Sequence, residues 1–286
     1  MKKNHEKVYE ILFMLAACTS VICVALICLF LFSSGIPAIV KIGAKEFLSG
    51  TEWKPGDTPP SFGVLPMILG SIIVTAGAII IGAPVGVFTA VFLAKFCPGR
   101  VLKLLKPAID LLAGIPSVVY GFFGIVALVP LVRNIFGGNG YSMLTASILL
   151  GIMTLPTIIS VSTEAINAVP ESFYEGSLAL GASHERSVFF TVLPAAKSGI
   201  TASIILGTGR AIGETMAVIM VSGNQARMPA GLLKGIRTLT ANIVIEMGYA
   251  AELHREALFA SGVVLFVFIL LINILFLLLK RGNKQW

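Results

Sequence analysis

Six stretches of this chain are apolar for long enough to cross a lipid bilayer. They run over Ile11–Phe32, Pro66–Leu93, Pro107–Val132, Tyr141–Val161, Ala195–Ser222 and Ala257–Leu279. A membrane-spanning helix needs about 20 apolar residues, and several of these runs are longer, so they tilt or extend past the lipid. The expected fold class is all-α: a polytopic membrane helix bundle with six transmembrane helices. Composition agrees, because 56% of the 286 residues are hydrophobic and only 12% are charged. A soluble domain carries roughly 25% charged residues.

Lysine and arginine placement sets the expected orientation. With the N-terminus inside, twelve basic residues fall in the inner segments and eight in the outer ones. Four of those eight lie in the single segment Gly223–Glu256, where the rule is weak. The tight cluster Lys95, Arg100, Lys103 and Lys106, between spans two and three, decides for both termini inside. Lys2, Lys3 and Lys7 precede an apolar run in the manner of a secretion signal. That run exceeds the roughly 7–15 residues of a signal core and lacks a cleavage site, so it reads as a retained helix. The pI of about 9.3 does not call for a nucleic acid, because span-end cations are drawn to anionic lipid.

One charged pair lies inside a span. Arg210 sits about 24 Å along a helix counted from Pro194, and Glu214 follows one turn later. A mid-membrane arginine costs about 2.5–3.5 kcal/mol on the insertion scale. Either the two residues neutralise each other as an ion pair, or the guanidinium lines an anion route, since its planar fork of donors fits oxyanions. Asp110 stands only three residues into span three and reaches for the interface. Catalytic groups are missing. His5, His184 and His254 lie outside the spans, and no G-x-x-x-x-G-K-[ST] occurs to cradle ATP. Cys18, Cys23, Cys28 and Cys97 show no CxxC spacing and read as small lipid-compatible side chains, so no cofactor and no metal are expected.

The connections carry further signals. Ser33–Gly63 and Gly223–Glu256 are long outer connections. In the inner segment 164–194, Pro170 suits a first helical position, and Glu171 and Glu175 suit a helix N-terminal half. Gly181 then suits a C-terminal cap, Ser183 a second N-cap, and Pro194 the start of span five. The expected order is helix, glycine break, helix, proline, membrane. Pro84, Pro116, Pro130 and Pro156 fall within spans, and Gly82 and Gly86 place two small residues on one face for close packing.

The inner segment also carries a specific pattern: Glu175-Gly176-Ser177, three residues, Gly181, nine residues, then Thr191-Val192-Leu193-Pro194. This resembles the EAA loop of ABC importer permeases, with Glu175, Gly181, Leu193 and Pro194 in register. Gly176, Ser177 and Thr191 depart from that loop's two alanines and isoleucine. The stretches Leu112–Gly121, Gly209–Val218 and Leu253–Phe259 look like the phosphate-specific permeases. Two related permeases pair in such systems, and Glu214-Thr215-Met216-Ala217 with Ser222-Gly223-Asn224 and the early Trp53 and Phe62-Gly63 favour the PstC type over the PstA type.

The resemblance implies a type I ABC importer permease fold in a prokaryotic cytoplasmic membrane. It implies transport of inorganic phosphate with no catalysis by this chain, and ATP hydrolysis on a separate one. The implied partners are a second related permease, two cytoplasmic ATPase subunits and an extracytoplasmic phosphate-binding protein. Glu175, Gly181, Leu193 and Pro194 belong to the loop that docks on the ATPase, and Arg210 and Glu214 to the phosphate route. The expected organisation is residues 1–63 as a first helix and outer loop, 64–280 as the permease domain with the coupling loop 164–194, and 281–286 as a tail. The alternatives are a permease for another oxyanion such as molybdate or sulfate, and a passive channel or membrane scaffold.

Overall fold

The computed structural model describes residues 2–282 of the chain. Among these, six helical stretches are long and apolar enough to cross a membrane: Tyr9–Ile42, Leu65–Phe96, Ser117–Phe136, Met143–Asn167, His184–Gly213 and Glu252–Phe276. The helix α1 (Lys2–Ile42) packs antiparallel to α13 (Glu252–Gly282). Phe32 meets Phe266, Phe30 meets Phe259, and Lys41 pairs with Glu256 at 2.7 Å. The start of α1 and the end of α13 therefore lie at one end of the bundle, here called the terminal end.

The middle of the bundle is α7 (Met143–Asn167), the most buried span, packed between α3 (Leu65–Val91) and α10 (Leu193–Gly213). Its contact with α3 uses the small face anticipated from Gly82 and Gly86. A Cβ on Gly82 would stand 2.8 Å from Thr154 Oγ1 and 2.9 Å from the Gly151 carbonyl oxygen. Only glycine lets the two backbones approach this closely.

Pro130 and Pro194 are accommodated by the same device. Three π-helical turns occur among the described residues, at Phe92–Phe96, Gly124–Leu128 and Val188–Val192. Two of them end two residues before a proline that the helix runs through, Pro130 and Pro194, whereas the first ends its helix ahead of extended Cys97 and Pro98. A proline ring meets the carbonyl four residues earlier in a regular helix, and a wider turn ahead of it relieves that clash. For Pro194 this corrects the expected order. The short helix α9 (His184–Ser187) runs without a break through the π-turn into α10, so the proline starts no new segment.

Two expected spans are interrupted. Span three does not begin at Pro107. α4 (Gly99–Gly114) ends in Ile115, which is extended at φ −69°, ψ 127°, and α5 (Ser117–Phe123) starts after Pro116. Proline disfavours the helical conformation in the residue before it. α5 continues through its π-turn into α6 (Val129–Phe136) to complete the span. Span five likewise stops at Gly213. Glu214 is extended at φ −70°, ψ 128°, and α11 (Met216–Val221) follows.

The long connections contain regular structure. Residues from Ser33 to Ile42 continue α1, and α2 (Ala44–Ser49) leads to a two-stranded hairpin, β1 (Trp53–Lys54) with β2 (Ser61–Phe62). The later connection contains α12 (Leu239–Met247). Phe47, Trp53, Phe62, Met67, Leu239 and Leu258 form one buried cluster that joins these pieces at the hairpin end, opposite the chain ends.

Candidate translocation site and coupling loop

The interrupted spans meet. α5 packs on α11 through Gly121, where a Cβ would stand 3.1 Å from the Ala217 Cα. Beside the break in span five, half-buried Arg210 occupies the last turn of α10 and donates from its guanidinium to Thr157 Oγ1 of α7 at 3.3 Å. Buried Tyr120, in the first turn of α5, donates its hydroxyl to the Leu112 carbonyl at 2.8 Å, across the Ile115–Pro116 break.

Glu214 is placed otherwise than the helical spacing implies. Because α10 ends at Gly213, Glu214 does not stand one turn above Arg210 on a shared face. Its carboxylate accepts from the amides of Thr215 at 3.2 Å and Ala217 at 3.3 Å, capping α11. Among the described residues the two form no ion pair. The self-neutralised pair is thus not what the chain builds. A guanidinium remains at the junction of two broken helices without a carboxylate against it. Asp110 lies on α4, outside the span, in a shallow pocket shared with Lys106 of α4 and Glu164 of α7.

The segment 164–194 is a projecting helical turn. α8 (Glu171–Ala179) begins after Pro170, which is its cap rather than its first helical residue, and buries none of its side chains. It ends in a Schellman motif: Ala182 N donates to Ser177 O at 3.2 Å and Gly181 N to Leu178 O at 2.8 Å. Gly181 has φ +87°, the left-handed backbone that its sequence position suggested. Ser183 accepts from Arg186 N at 3.3 Å and caps α9.

α8 is held by Tyr174, whose hydroxyl lies 2.7 Å from His184 Nδ1, and by Ser177, bonded to Ser187 at 3.0 Å. The Phe96 ring stacks edge-on to His184 at 4.7 Å, tying this turn to the π-turn that follows α3. Glu175 and Pro194 are exposed and Leu193 is half-buried. Leu180 is 91% exposed and Phe173 51%, so the turn presents apolar side chains away from the bundle.

The sequence did not point to a second polar cluster, at the hairpin end. Glu246 of α12 is 4% exposed and accepts from Trp53 Nε1 at 2.8 Å, from His254 Nε2 at 2.8 Å and from Arg237. Arg237 also donates to Asn242 Oδ1 at 2.9 Å and to the Asn224 carbonyl at 3.0 Å. The one local signal was the spacing of Asn242 and Glu246, one helical turn apart.

Against known proteins, residues 82–285 match the family described as "Binding-protein-dependent transport system inner membrane component". The chain is 40% identical over 258 residues to a probable ABC transporter permease, YqgH, of Bacillus subtilis, covering 87% of this chain and 84% of that one. It is 34% identical over 268 residues to the phosphate transport system permease PstC of Xylella fastidiosa (86% and 82% covered). With the PstC of Haemophilus influenzae it shares 31% identity over 266 residues (86% and 84% covered). Among solved structures, an inward-facing MetNI methionine ABC transporter superposes with a TM-score of 0.61 at 19% identity, covering 77% of this chain and 97% of that one. A bacterial alginate ABC transporter, in complex with an alginate-pentasaccharide-bound periplasmic protein, gives 0.61 at 14% identity and covers 93% and 94%. These distant structures share the fold alone. The chain belongs to the binding-protein-dependent transport system inner membrane components, the permeases of ABC importers, and within them to the PstC type.

Proposed function

We propose that this chain is the permease subunit through which an ATP-driven importer carries inorganic phosphate across the cytoplasmic membrane of a prokaryote. The observation that carries the reading is Arg210, a guanidinium at the junction of two broken helices with no carboxylate paired to it among the described residues. A planar donor fork in a low-dielectric site favours a tetrahedral oxyanion. Phosphate, among oxyanions, is supported by the names of the PstC relatives. Glu214 serves the same site by capping α11, so that the helix start stays fixed beside the guanidinium.

Both termini and the 164–194 turn face the cytoplasm in this reading. Glu175, Gly181, Leu193 and Pro194 belong to the element that docks on an ATPase subunit, with the exposed Phe173 and Leu180 as apolar contacts. The chain has no P-loop, so ATP is hydrolysed by two partner subunits. A second related permease completes the pathway, and an extracytoplasmic binding protein delivers phosphate. The test is ATP hydrolysis by the purified complex in lipid vesicles with a binding protein presenting phosphate, sulfate or molybdate. Stimulation by the phosphate-loaded form alone supports the reading. Stimulation by the sulfate- or molybdate-loaded form instead reassigns the substrate.

A further inference from the structure

The Glu246 cluster lies outside the phosphate route, and an ionic group buried there needs a reason. The segment is already packed by apolar side chains from α2, the hairpin, α12 and α13. A buried ion pair adds little net stability over such a core, but it does fix geometry. Here the geometry spans the whole of α12. At its C-terminal end Glu246 holds Trp53 of the hairpin and His254 of α13. At its N-terminal end the Leu239 amide donates to Ser71 Oγ of α3 at 3.0 Å, and Thr240 Oγ1 donates to the Glu214 carbonyl at 3.3 Å. Glu246 lies six positions beyond Thr240, about 9 Å along a helix. A short helix pinned at both ends transmits displacement along its axis instead of absorbing it.

We propose that α12 is a strut linking the hairpin end of the protein to the helix break at Glu214, and that Glu246 is the positioning residue that sets its register. The hairpin tip, residues 56–60, is exposed, so a binding protein arriving at that end bears on β1 and, through Trp53 and Glu246, on α12. The Thr240 contact carries the shift to Glu214 and so to the cap of α11 beside Arg210. This inference rests on the importer reading above and adds a route by which arrival outside is felt at the break.

The experiment uses the complete transporter in vesicles, comparing ATP hydrolysis without and with phosphate-loaded binding protein. Trp53→Phe keeps an aromatic ring against Phe62 and removes the indole N–H together with the five-membered ring that bears it, and Glu246→Gln keeps the shape and removes the charge. Loss of one hydrogen bond to a charged group corresponds to about a tenfold effect. Stimulation in Trp53→Phe is therefore expected to fall about tenfold with basal hydrolysis unchanged, and further in Glu246→Gln. Basal and stimulated rates falling in proportion, or stimulation unchanged in Trp53→Phe, overturns the strut. If Glu246→Gln fails to assemble, Trp53→Phe decides alone. No stimulation in the unaltered complex overturns the phosphate reading itself, and the strut with it.

Discussion

Arg210 and Glu214, four residues apart, are separated by the end of a helix: one points its guanidinium at Thr157 and the other turns its carboxylate back onto the amides of Thr215 and Ala217. The two charges therefore do separate things, and neutralising them has unequal consequences. Arg210→Gln is expected to abolish phosphate uptake, and Arg210→Lys to impair it, because an ammonium lacks the planar fork. Glu214→Gln is expected to retain uptake, since the amide oxygen still accepts from both N–H groups. Glu214→Ala removes the cap at about 1 kcal/mol and lowers uptake. The double Arg210→Gln, Glu214→Gln variant stays inactive. The measurement is labelled phosphate uptake in cells lacking other phosphate importers, with membrane abundance checked. Wild-type uptake by the double variant would return Arg210 to a purely structural role.

Orientation is checked by accessibility. In a cysteine-free background, Asp57→Cys at the hairpin tip and Leu180→Cys on the projecting turn place one thiol at each end of the bundle. A membrane-impermeant thiol reagent added to intact cells is expected to label position 57 and to reach position 180 only after lysis. The reverse pattern inverts the topology and removes the projecting turn from any cytoplasmic partner.

Hydropathy was enough to count the spans but not to find where two of them break. Apolar residues continue on both sides of Pro116 and of Glu214, so a window average passes over each interruption. Proline alone does not mark the break at Pro116, since helices run unbroken through Pro84 and Pro156, and nothing comparable marks Gly213. Gly181 was legible because a left-handed cap leaves a residue-type signature. Glu246 was not, because Trp53, its partner, is 193 residues away in sequence. Long-range polar contacts become visible only when the chain is folded.

Close packing of α3 on α7 is tested at Gly82. A side chain there meets the Gly151 carbonyl at 2.9 Å, and backbone cannot rotate aside as a side chain can. Gly82→Val is expected to destabilise the bundle by roughly 1–3 kcal/mol. Thermal unfolding of the detergent-solubilised protein, followed by loss of the monodisperse peak, reads this directly. An unchanged midpoint would mean that the two helices do not cross where described.

The projecting turn offers a matched pair of glycines, Gly176 and Gly181, that differ in backbone conformation. A Cβ at either meets nothing within 4 Å, so neither is constrained by space. Gly176 lies within α8, whereas Gly181 holds φ +87°. Alanine at 176 removes a residue that weakens helices and is expected to stabilise α8 by up to about 1 kcal/mol. Valine at 181 forces a β-branched side chain into the left-handed region, at about 1–2 kcal/mol, and α8 escapes that strain by changing its angle to α9. Both variants are expected to insert normally, since neither glycine touches a span. Gly176→Ala is expected to keep ATPase association and uptake. Gly181→Val is expected to lose both, because an element that docks on a partner must present a fixed shape. Co-purification of the ATPase subunits with each tagged variant measures the difference. Equal recovery with the two variants would show that the bend at Gly181 does not set the docking surface.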